Sequence, residues 1–293
     1  MNAAAATDTG MVRERNEDRY WIDAERGVFL VVDGVGGHAA GEIAAQTAVE
    51  TIRASLSKAS GAPEARVREA IAAANNQIFE FAQHDELRGM ACVLTLALVE
   101  DGEITIGHVG DSRLYLIWNG AMKKLTADHS PVGEEEDAGE LAEVDAMRHP
   151  RRNEVFRDVG SRRRSADDEG FIDIRTCRFR PDAAILLCSD GLTDHLTAAE
   201  IREIVENFSG DAARVACDLV DAANEAGGKD NITALFVAGP EFRGHSEPAG
   251  VRTRAIATRA RGAPKRWLFG RTALLAYGLI LAMIVWLVAR LRG

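Results

Sequence analysis

Two spacings of apolar residues divide the chain into strand-like and helix-like segments. Short runs of β-branched and other apolar residues predict strands, and runs whose apolar positions recur every three or four residues predict helices. The predicted strands are residues 28–33, 92–100, 103–109, 113–118, 172–178, 184–189 and 231–237, and the predicted helices are residues 39–56, 64–83, 198–207 and 212–225.

The order of these elements predicts an α+β fold. Clustered strands with paired helices between them favour a four-layer α-β-β-α sandwich, in which two antiparallel sheets are flanked by helix pairs. Strands 92–100, 103–109 and 113–118 predict a meander, with Asp101-Gly102 as a tight hairpin turn and Gly110-Asp111 as the next corner; Asn119-Gly120 is a further turn of the same kind. Residues 127–170 are rich in charge and have no clear period, which predicts a long functional loop or flap.

An apolar stretch near the C-terminus predicts a membrane anchor. Residues 272–289 carry no charge, and at about 1.5 Å per residue they would cover about 27 Å, which is enough for a hydrocarbon core. A buried core helix is the alternative. Seven cations and no anion lie between residues 252 and 271, so the positive-inside rule places the preceding domain in the cytoplasm. We expect a folded domain at 1–240, a basic flexible linker at 241–270, a transmembrane helix at 271–290 and a short exterior stub at 291–293.

Charge and cysteine content exclude several classes of protein. Of the 35 Lys and Arg residues, 9 lie beyond residue 251, and no acidic residue follows Glu247, so residues 1–251 have a charge balance of −19. Such a body would repel a nucleic acid backbone. The four cysteines form no Cys-x-x-Cys pair, which predicts buried, reduced thiols. The N-terminus has no basic region followed by a long apolar region, so it does not predict a signal peptide.

Five aspartates stand where an apolar strand meets a turn: Asp18, Asp33, Asp111, Asp190 and Asp230. A carboxylate that ends a buried strand is costly unless a cation meets it. Ligation by oxygen atoms alone suits magnesium or manganese. We therefore predict a multinuclear site for hard metal ions. The alternative for any one of these residues is a turn-initiating or helix-capping aspartate.

Four other features of the sequence bear on its chemistry. The glycine-rich run after Asp33 has Glu42 where a phosphate-binding loop requires Lys, so its glycines more simply allow the Gly34 carbonyl to approach a metal. Asp128-His129-Ser130 resembles a hydrolase triad only in composition, because a triad is built from distant positions. Arg13 is a candidate phosphate clamp, since guanidinium matches phosphate bidentately; a solvated surface arginine is the alternative. His38 is a candidate proton donor or helix cap.

Together these motifs resemble a known family, the bacterial metal-dependent protein phosphatases of type 2C (the PPM family). The resemblance covers about residues 7–237, and the motifs follow the order of the family. They are Arg13-Glu14-Arg15-Asn16-Glu17-Asp18, Asp33-Gly34-Val35-Gly36-Gly37-His38-Ala39-Ala40-Gly41, Gly110-Asp111-Ser112-Arg113-Leu114-Tyr115, Leu125-Thr126-Ala127-Asp128-His129-Ser130, His149-Pro150 with Arg152-Asn153, Ser189-Asp190-Gly191-Leu192, and Asp230-Asn231-Ile232-Thr233.

The resemblance implies a role for each matched residue. Asp33 would bridge two Mn²⁺ or Mg²⁺ ions, and the carbonyl of Gly34 would join their ligands. Asp190 and Asp230 would complete the shell of one ion, with Asp18 and Glu17 acting largely through bound water. Arg13 would hold the phosphate of the substrate. Asp111 would help to bind a third, weaker ion.

The implied function is hydrolysis of phosphoserine and phosphothreonine in proteins by a metal-activated hydroxide. Substrates would be phosphoproteins, and a cognate serine/threonine kinase would act at the same bacterial inner membrane, where one span anchors the cytoplasmic catalytic domain. A catalytically weak phosphoprotein-binding scaffold is the alternative; a two-metal nuclease is disfavoured by the acidic body. Two departures from the family pattern, Ala91-Cys92-Val93 for Gly-Thr-Thr and residues 156–160 for Thr-Arg-Ala-x-Gly, bear on flap behaviour and rate.

Overall fold

Ten strands, seven α-helices and one short 3-10 helix (Asp85–Leu87) make up the part of the chain that the computed structural model describes, residues 1–36 and 40–244. The strands are β1 (Asn2–Asp8), β2 (Arg19–Asp23), β3 (Val28–Val35), β4 (Ala91–Glu100), β5 (Glu103–Val109), β6 (Arg113–Trp118), β7 (Ala121–Lys124), β8 (Asp173–Arg178), β9 (Ala184–Cys188) and β10 (Ile232–Ala238). The helices are α1 (Ala40–Lys58), α2 (Pro63–Phe81), α3 (Pro131–Asp137), α4 (Glu143–Ala146), α5 (Asp190–Thr193), α6 (Ala198–Glu206) and α7 (Ala212–Glu225).

The strands form two antiparallel sheets of five strands each. One sheet has the order β1-β10-β9-β6-β7, and the other has the order β2-β3-β4-β5-β8. Helices α1 and α2 pack on the second sheet, and α6 and α7 pack on the first. The predicted arrangement of two antiparallel sheets with helices is therefore confirmed.

Three separate apolar cores hold the layers together, because the central strands bury both of their faces. In β3, Leu30 packs towards α1 and α2, whereas its neighbours Phe29 and Val31 pack into the core between the sheets. In β10, Leu235 belongs to the core between the sheets, and Phe236 packs towards α7. Successive side chains of a strand point to opposite faces, so each central strand serves two cores.

The meander prediction is correct for its first hairpin and wrong for its third strand. Asp101 and Gly102 both have positive φ, 50° and 77°, as the predicted tight turn requires. The chain then leaves the second sheet after β5, and β6 pairs with β9 and β7 in the first sheet. The crossing carries Asp111 to the junction between the two sheets, which a continued meander would not do.

The predicted flap contains two short helices, α3 and α4, and is tied to the body at several points. The carboxylate of Glu143 accepts from the backbone N–H of Ala198, at the start of α6, over 2.6 Å. The second half of the flap, residues 156–164, is called the returning arm. Asn75 of α2 binds it by accepting from Gly160 N–H and donating to the Arg162 carbonyl, each over 2.8 Å. The flap therefore has defined attachment points on α2 and α6.

The predicted anchor lies outside the described residues, as do most of the linker at 241–270, the span at 271–290, the stub at 291–293, and His38. Among residues 1–36 and 40–244, no helix is long and apolar enough to cross a membrane.

Candidate active site

The five predicted aspartates come together at one end of the sandwich. Asp33 lies near the end of β3, and Asp190 is the first residue of α5. Asp18 directly precedes β2, Asp111 lies in the crossing from β5 to β6, and Asp230 precedes β10. Burial raises the pKa of Asp33 well above its ordinary value, and the charges of the other four aspartates raise it further. One carboxylate thus lies within electrostatic reach of all the others.

These residues surround a cleft of about 160 Å³. Its lining includes Arg13, Glu17, Asp33, Gly34, Asp111, Asp190, Asp230 and, from the flap, Asn153 and Val155. Asp190 has a pKa raised by burial and by the charges of Asp194, Asp111, Asp230 and Asp18. A cluster of buried carboxylates at one cleft concentrates negative charge, so it is suited to bind a cation.

Asp18 lies beneath the cleft and is held by two hydroxyl groups. Ser189 Oγ and Thr233 Oγ1 donate to Asp18 Oδ2 over 2.7 and 2.6 Å. The second oxygen, Oδ1, is buried without a hydrogen-bond partner among the described residues. Burial raises the pKa of Asp18 to about 6 despite the two hydroxyl donors, which lower it. Oδ1 is therefore a buried acceptor that the described residues leave without a donor.

Asp111 and Asp190 also line a second, smaller cavity of about 30 Å³ next to the cleft. Burial raises the pKa of Asp111 to about 7, and the charge of Asp128 raises it as well. Asp194 lies in the same cavity and pairs with Arg152 of the flap. The second cavity therefore shares two carboxylates with the main cleft.

Gly34 sits in a cradle of backbone carbonyls that admits no side chain. A Cβ at Gly34 would lie 2.3 Å from the Gly41 carbonyl oxygen and 2.8 Å from the Glu17 carbonyl oxygen. Opposite Gly34, Cys92 occupies the paired position in β4. The glycine is thus required by close backbone approach at the cleft.

Arg13 reaches the cleft from the loop before β2. Its Nη2 donates to Asp230 Oδ2 over 2.7 Å, and the other oxygen of Asp230 accepts from Asn231 N–H over 2.8 Å. The Asn231 side chain accepts from Glu17 N–H and donates to the carbonyls of Thr9 and Arg15. Asn231 thereby fixes the loop that carries Arg13, a role that the sequence analysis missed.

Among the described residues, no three His, Cys, Asp or Glu side chains are placed so that they could all bind one metal ion directly. The oxygen donors at the cleft are carboxylates and the Gly34 carbonyl. Magnesium and manganese complete their shells with such oxygens and with water. The donor chemistry fits these ions, and the assignment of individual ligands stays a prediction.

The Asp128-His129-Ser130 segment forms no triad, as predicted. Asp128 is bound by Arg113, with Nη2 donating to Oδ2 over 2.6 Å, and not by its neighbour His129. His129 instead pairs with Asp173 of β8 through Nε2, over 3.0 Å. Ser130 accepts from Gly133 N–H as the cap of α3.

The sequence places seven arginines in the flap, which would supply local positive charge for a phosphate: Arg148, Arg151, Arg152, Arg157, Arg162, Arg163 and Arg164. Five of them pair with carboxylates: Arg151 with Glu154, Arg152 with Asp194, Arg157 with Asp173, Arg163 with Glu80 and Arg164 with Asp168. Three of these pairs, those of Arg152, Arg157 and Arg163, bind the flap to residues outside it.

The cysteines are free, as predicted, but not all are buried. Cys92 and Cys188 are buried, whereas Cys217 is exposed. Burial raises the pKa of Cys92 well above its ordinary value and that of Cys188 to about 12. Neither buried thiol is suited to act as a thiolate nucleophile at neutral pH.

Comparison with known proteins now decides the family. A sequence model described as Protein phosphatase 2C matches residues 12–235, which are most of the chain. The chain belongs to this family. The enzyme class predicted from the sequence, a metal-dependent protein serine/threonine phosphatase, is confirmed, and the scaffold alternative is not favoured.

Relatives of this phosphatase domain extend over most of the chain. The serine/threonine phosphatase stp of Listeria innocua is 34% identical over 248 residues, which are 81% of this chain and 95% of that protein. The structure of the serine/threonine phosphatase PstP/Ppp of Mycobacterium tuberculosis has a TM-score of 0.71 at 30% identity and covers 80% of this chain and 96% of its own. A structure of the PstP catalytic domain in complex with two manganese ions has a TM-score of 0.69 at 28% identity, with the same coverage.

Proposed function

We propose that this phosphatase hydrolyses phosphoserine and phosphothreonine in proteins at a dinuclear manganese or magnesium site. The observation that carries the proposal is the position of Asp33, whose carboxylate lines one cleft together with those of Asp111, Asp190 and Asp230. Asp33 would bridge the two ions, with Gly34 contributing its carbonyl and Asp190 and Asp230 completing one shell. The two manganese ions of the related PstP catalytic domain support this number of ions.

Asp18 would act on the metals through water. Its Oδ2 is already occupied by Ser189 and Thr233, and only its buried Oδ1 is free to accept. Because two hydroxyl donors fix the carboxylate, Oδ1 is held in one orientation. This supports a role in positioning a metal-bound water.

When bound, the two ions would lower the pKa of a shared water and neutralise charge on the phosphoryl group. The chain itself would supply orientation. Arg13 is half exposed at the cleft, and its guanidinium can bind phosphate oxygens with the donors that Asp230 does not use. The raised thiol pKa values of Cys92 and Cys188 disfavour a cysteinyl-phosphate intermediate. With these two thiols set aside, we propose water as the nucleophile.

A third, weaker ion would bind between Asp111 and Asp190. These two carboxylates line the small second cavity as well as the main cleft. A cavity of about 30 Å³ has room for an ion or a water. The identity of the resident metal, manganese or magnesium, is part of the proposal.

We further propose that the protein is a single-pass protein of the bacterial inner membrane, with its catalytic domain in the cytoplasm. The support is in the sequence: residues 272–289 are uncharged, and seven cations precede them. From this position the phosphatase would reverse the action of a serine/threonine kinase at the same membrane.

The direct experiment uses the purified full chain and a phosphothreonine peptide. Phosphate release should stop after treatment with a chelator and return when manganese or magnesium is added. A chelator that has been saturated with the same metal, manganese or magnesium, before addition serves as the control. Full activity in excess free chelator would contradict the metal mechanism.

A further inference from the structure

His129 connects two parts of the molecule that meet beside the active site. Its side chain is 4% exposed. His129 N–H donates to the Gly110 carbonyl over 2.7 Å, and Gly110 N–H donates to His129 Nδ1 over 2.9 Å. The residue that follows Gly110 is Asp111. His129 and the Asp111 turn are therefore joined by a reciprocal pair of hydrogen bonds.

The same residue is bound to the returning arm of the flap. Because a backbone N–H can only donate, Nδ1 is the acceptor from Gly110, and the neutral ring carries its proton on Nε2. Nε2 then donates to Asp173 Oδ2 over 3.0 Å, and Arg157 Nη1 lies 3.1 Å from the same nitrogen. The other oxygen of Asp173 accepts from Arg157 over 2.7 Å, and Phe156 N–H donates to the His129 carbonyl over 2.9 Å.

The turn on the other side of the ring has little freedom to absorb a displacement. Gly110 has a φ of +109°, and a Cβ there would lie 2.2 Å from Val93. Val93 itself lines the active-site cleft. Gly110 is thus packed between Val93 and His129, so a movement of the ring must move the turn or break the bond to Nδ1.

We propose that His129 is a positioning residue that couples the flap to the Asp111 turn. Its Nδ1 holds the Asp111 turn through the Gly110 amide, and its Nε2 is connected through Asp173 to the returning arm of the flap. A shift of residues 156–157 would therefore change the position of the Asp111 carboxylate. The inference rests on the proposed function only where it takes Asp111 as a ligand of the third ion.

The first test measures the coupling without metal, by hydrogen exchange of a peptide that contains the Gly110 amide. In the chelator-treated full chain, Asp173→Ala removes the acceptor on the flap side. It should speed exchange at Gly110 about 10-fold, since coupled sites commonly differ by 5- to 150-fold. Asp158→Ala is the matched control, because Asp158 is a flap residue that accepts only from nearby Ser161. Equal exchange at Gly110 in the two variants would overturn the coupling.

The second test distinguishes the role of Nδ1 from the role of Nε2. Asn at this position can replace the Nδ1 acceptor, and Gln can replace the Nε2 donor. His129→Gln should raise the manganese concentration for half-maximal hydrolysis of p-nitrophenyl phosphate about 10-fold, as loss of a partner that orients a ligand often does. His129→Asn should keep the half-saturating manganese concentration at the wild-type value. If both substitutions shift the manganese dependence equally, His129 serves only packing and the proposal is wrong.

The two tests also separate the inference from the proposed function. Asp111→Asn should raise the half-saturating manganese concentration by itself. If Asp111→Asn leaves it unchanged while Asp173→Ala still speeds exchange at Gly110, the third-ion assignment fails and the coupling stands. If Asp111→Asn behaves as expected but the exchange at Gly110 is unaffected by Asp173→Ala, the coupling fails and the metal assignment stands.

Discussion

Arg13 Nη2 lies 2.7 Å from Asp230 Oδ2, although the two residues are 217 positions apart in the chain. The pair joins the candidate phosphate clamp to a candidate metal ligand. Asp230 also raises the pKa of Arg13 through this hydrogen bond, so the guanidinium stays charged. One cation therefore contacts the carboxylate of Asp230, a candidate metal ligand, and lies half exposed at the cleft.

Removing Arg13 should weaken substrate capture more than metal binding. We expect Arg13→Ala to raise KM and to lower kcat/KM about 10- to 100-fold, which corresponds to the loss of hydrogen bonds to a charged phosphate. Arg15→Ala is the matched control, because Arg15 is exposed and pairs with Glu42. Loss of manganese affinity with an unchanged KM would instead show that Arg13 acts only through Asp230.

The hydroxyl of Thr233 should matter for metal affinity as well as for stability. Thr233→Val keeps the shape of the side chain but removes a donor to Asp18. We expect manganese affinity, measured by calorimetry, to fall about 10-fold, because partners that orient a ligand commonly contribute that much. Thr105→Val is the control: Thr105 is another buried strand threonine, and its hydroxyl meets only Thr176. Equal metal affinity in the two variants would contradict a role for Asp18 at the metal site.

The metal-free protein should become less stable as pH rises through the acidic range. Burial raises the folded-state pKa of Asp18 to about 6 and that of Asp111 to about 7, from an ordinary value of 3.8. Between the ordinary and the raised values, the folded state holds protons that the unfolded state has released, so stability falls as pH increases.

Melting temperatures from about pH 4 to pH 8, with chelator and with manganese, test this sign. With manganese the trend should reverse, because the metal competes with protons for the carboxylates. A metal-free melting temperature that rises across the whole interval would contradict the burial of these carboxylates beside one another.

The predicted anchor should hold the full chain in the membrane fraction after carbonate extraction. Leu281→Arg places a charge near the centre of residues 272–289 and should cost about 3 kcal/mol of insertion free energy. Leu281→Phe is the control. We expect the Arg variant to shift towards the soluble fraction with its peptide phosphatase activity intact. Quantitative recovery of the wild-type chain in the soluble fraction would contradict the anchor.

Some features of the fold could be predicted from local sequence, and others depend on distant partners. Asp33 and Asp190 were identifiable because a charged residue at the end of an apolar run is costly and therefore informative. Strand β1 was missed because four of its residues are alanine, which has low strand propensity. Its strand conformation comes from pairing with β10, in which Asn2 lies opposite Ala238.

The crossing at Asp111 and the roles of Asn231 and His129 could not be inferred in the same way. A hairpin and a crossing between sheets present the same local pattern around Gly110, and only the packing of β6 against β9 distinguishes them. His129 finds its carboxylate partner 44 residues away at Asp173 and not at the adjacent Asp128. Contacts of this length follow from the packing of the layers, which no local period encodes.

The central claim is that Asp33 bridges two catalytic metal ions, and the turnover of Asp33→Asn on a phosphothreonine peptide tests it most directly. The substitution keeps the size of the side chain and removes the charge that both ions would share. We predict less than about a tenth of wild-type turnover at saturating manganese, a loss of more than about 1.4 kcal/mol. A variant that retains more than this, with its fold intact by circular dichroism, would contradict the bridging role.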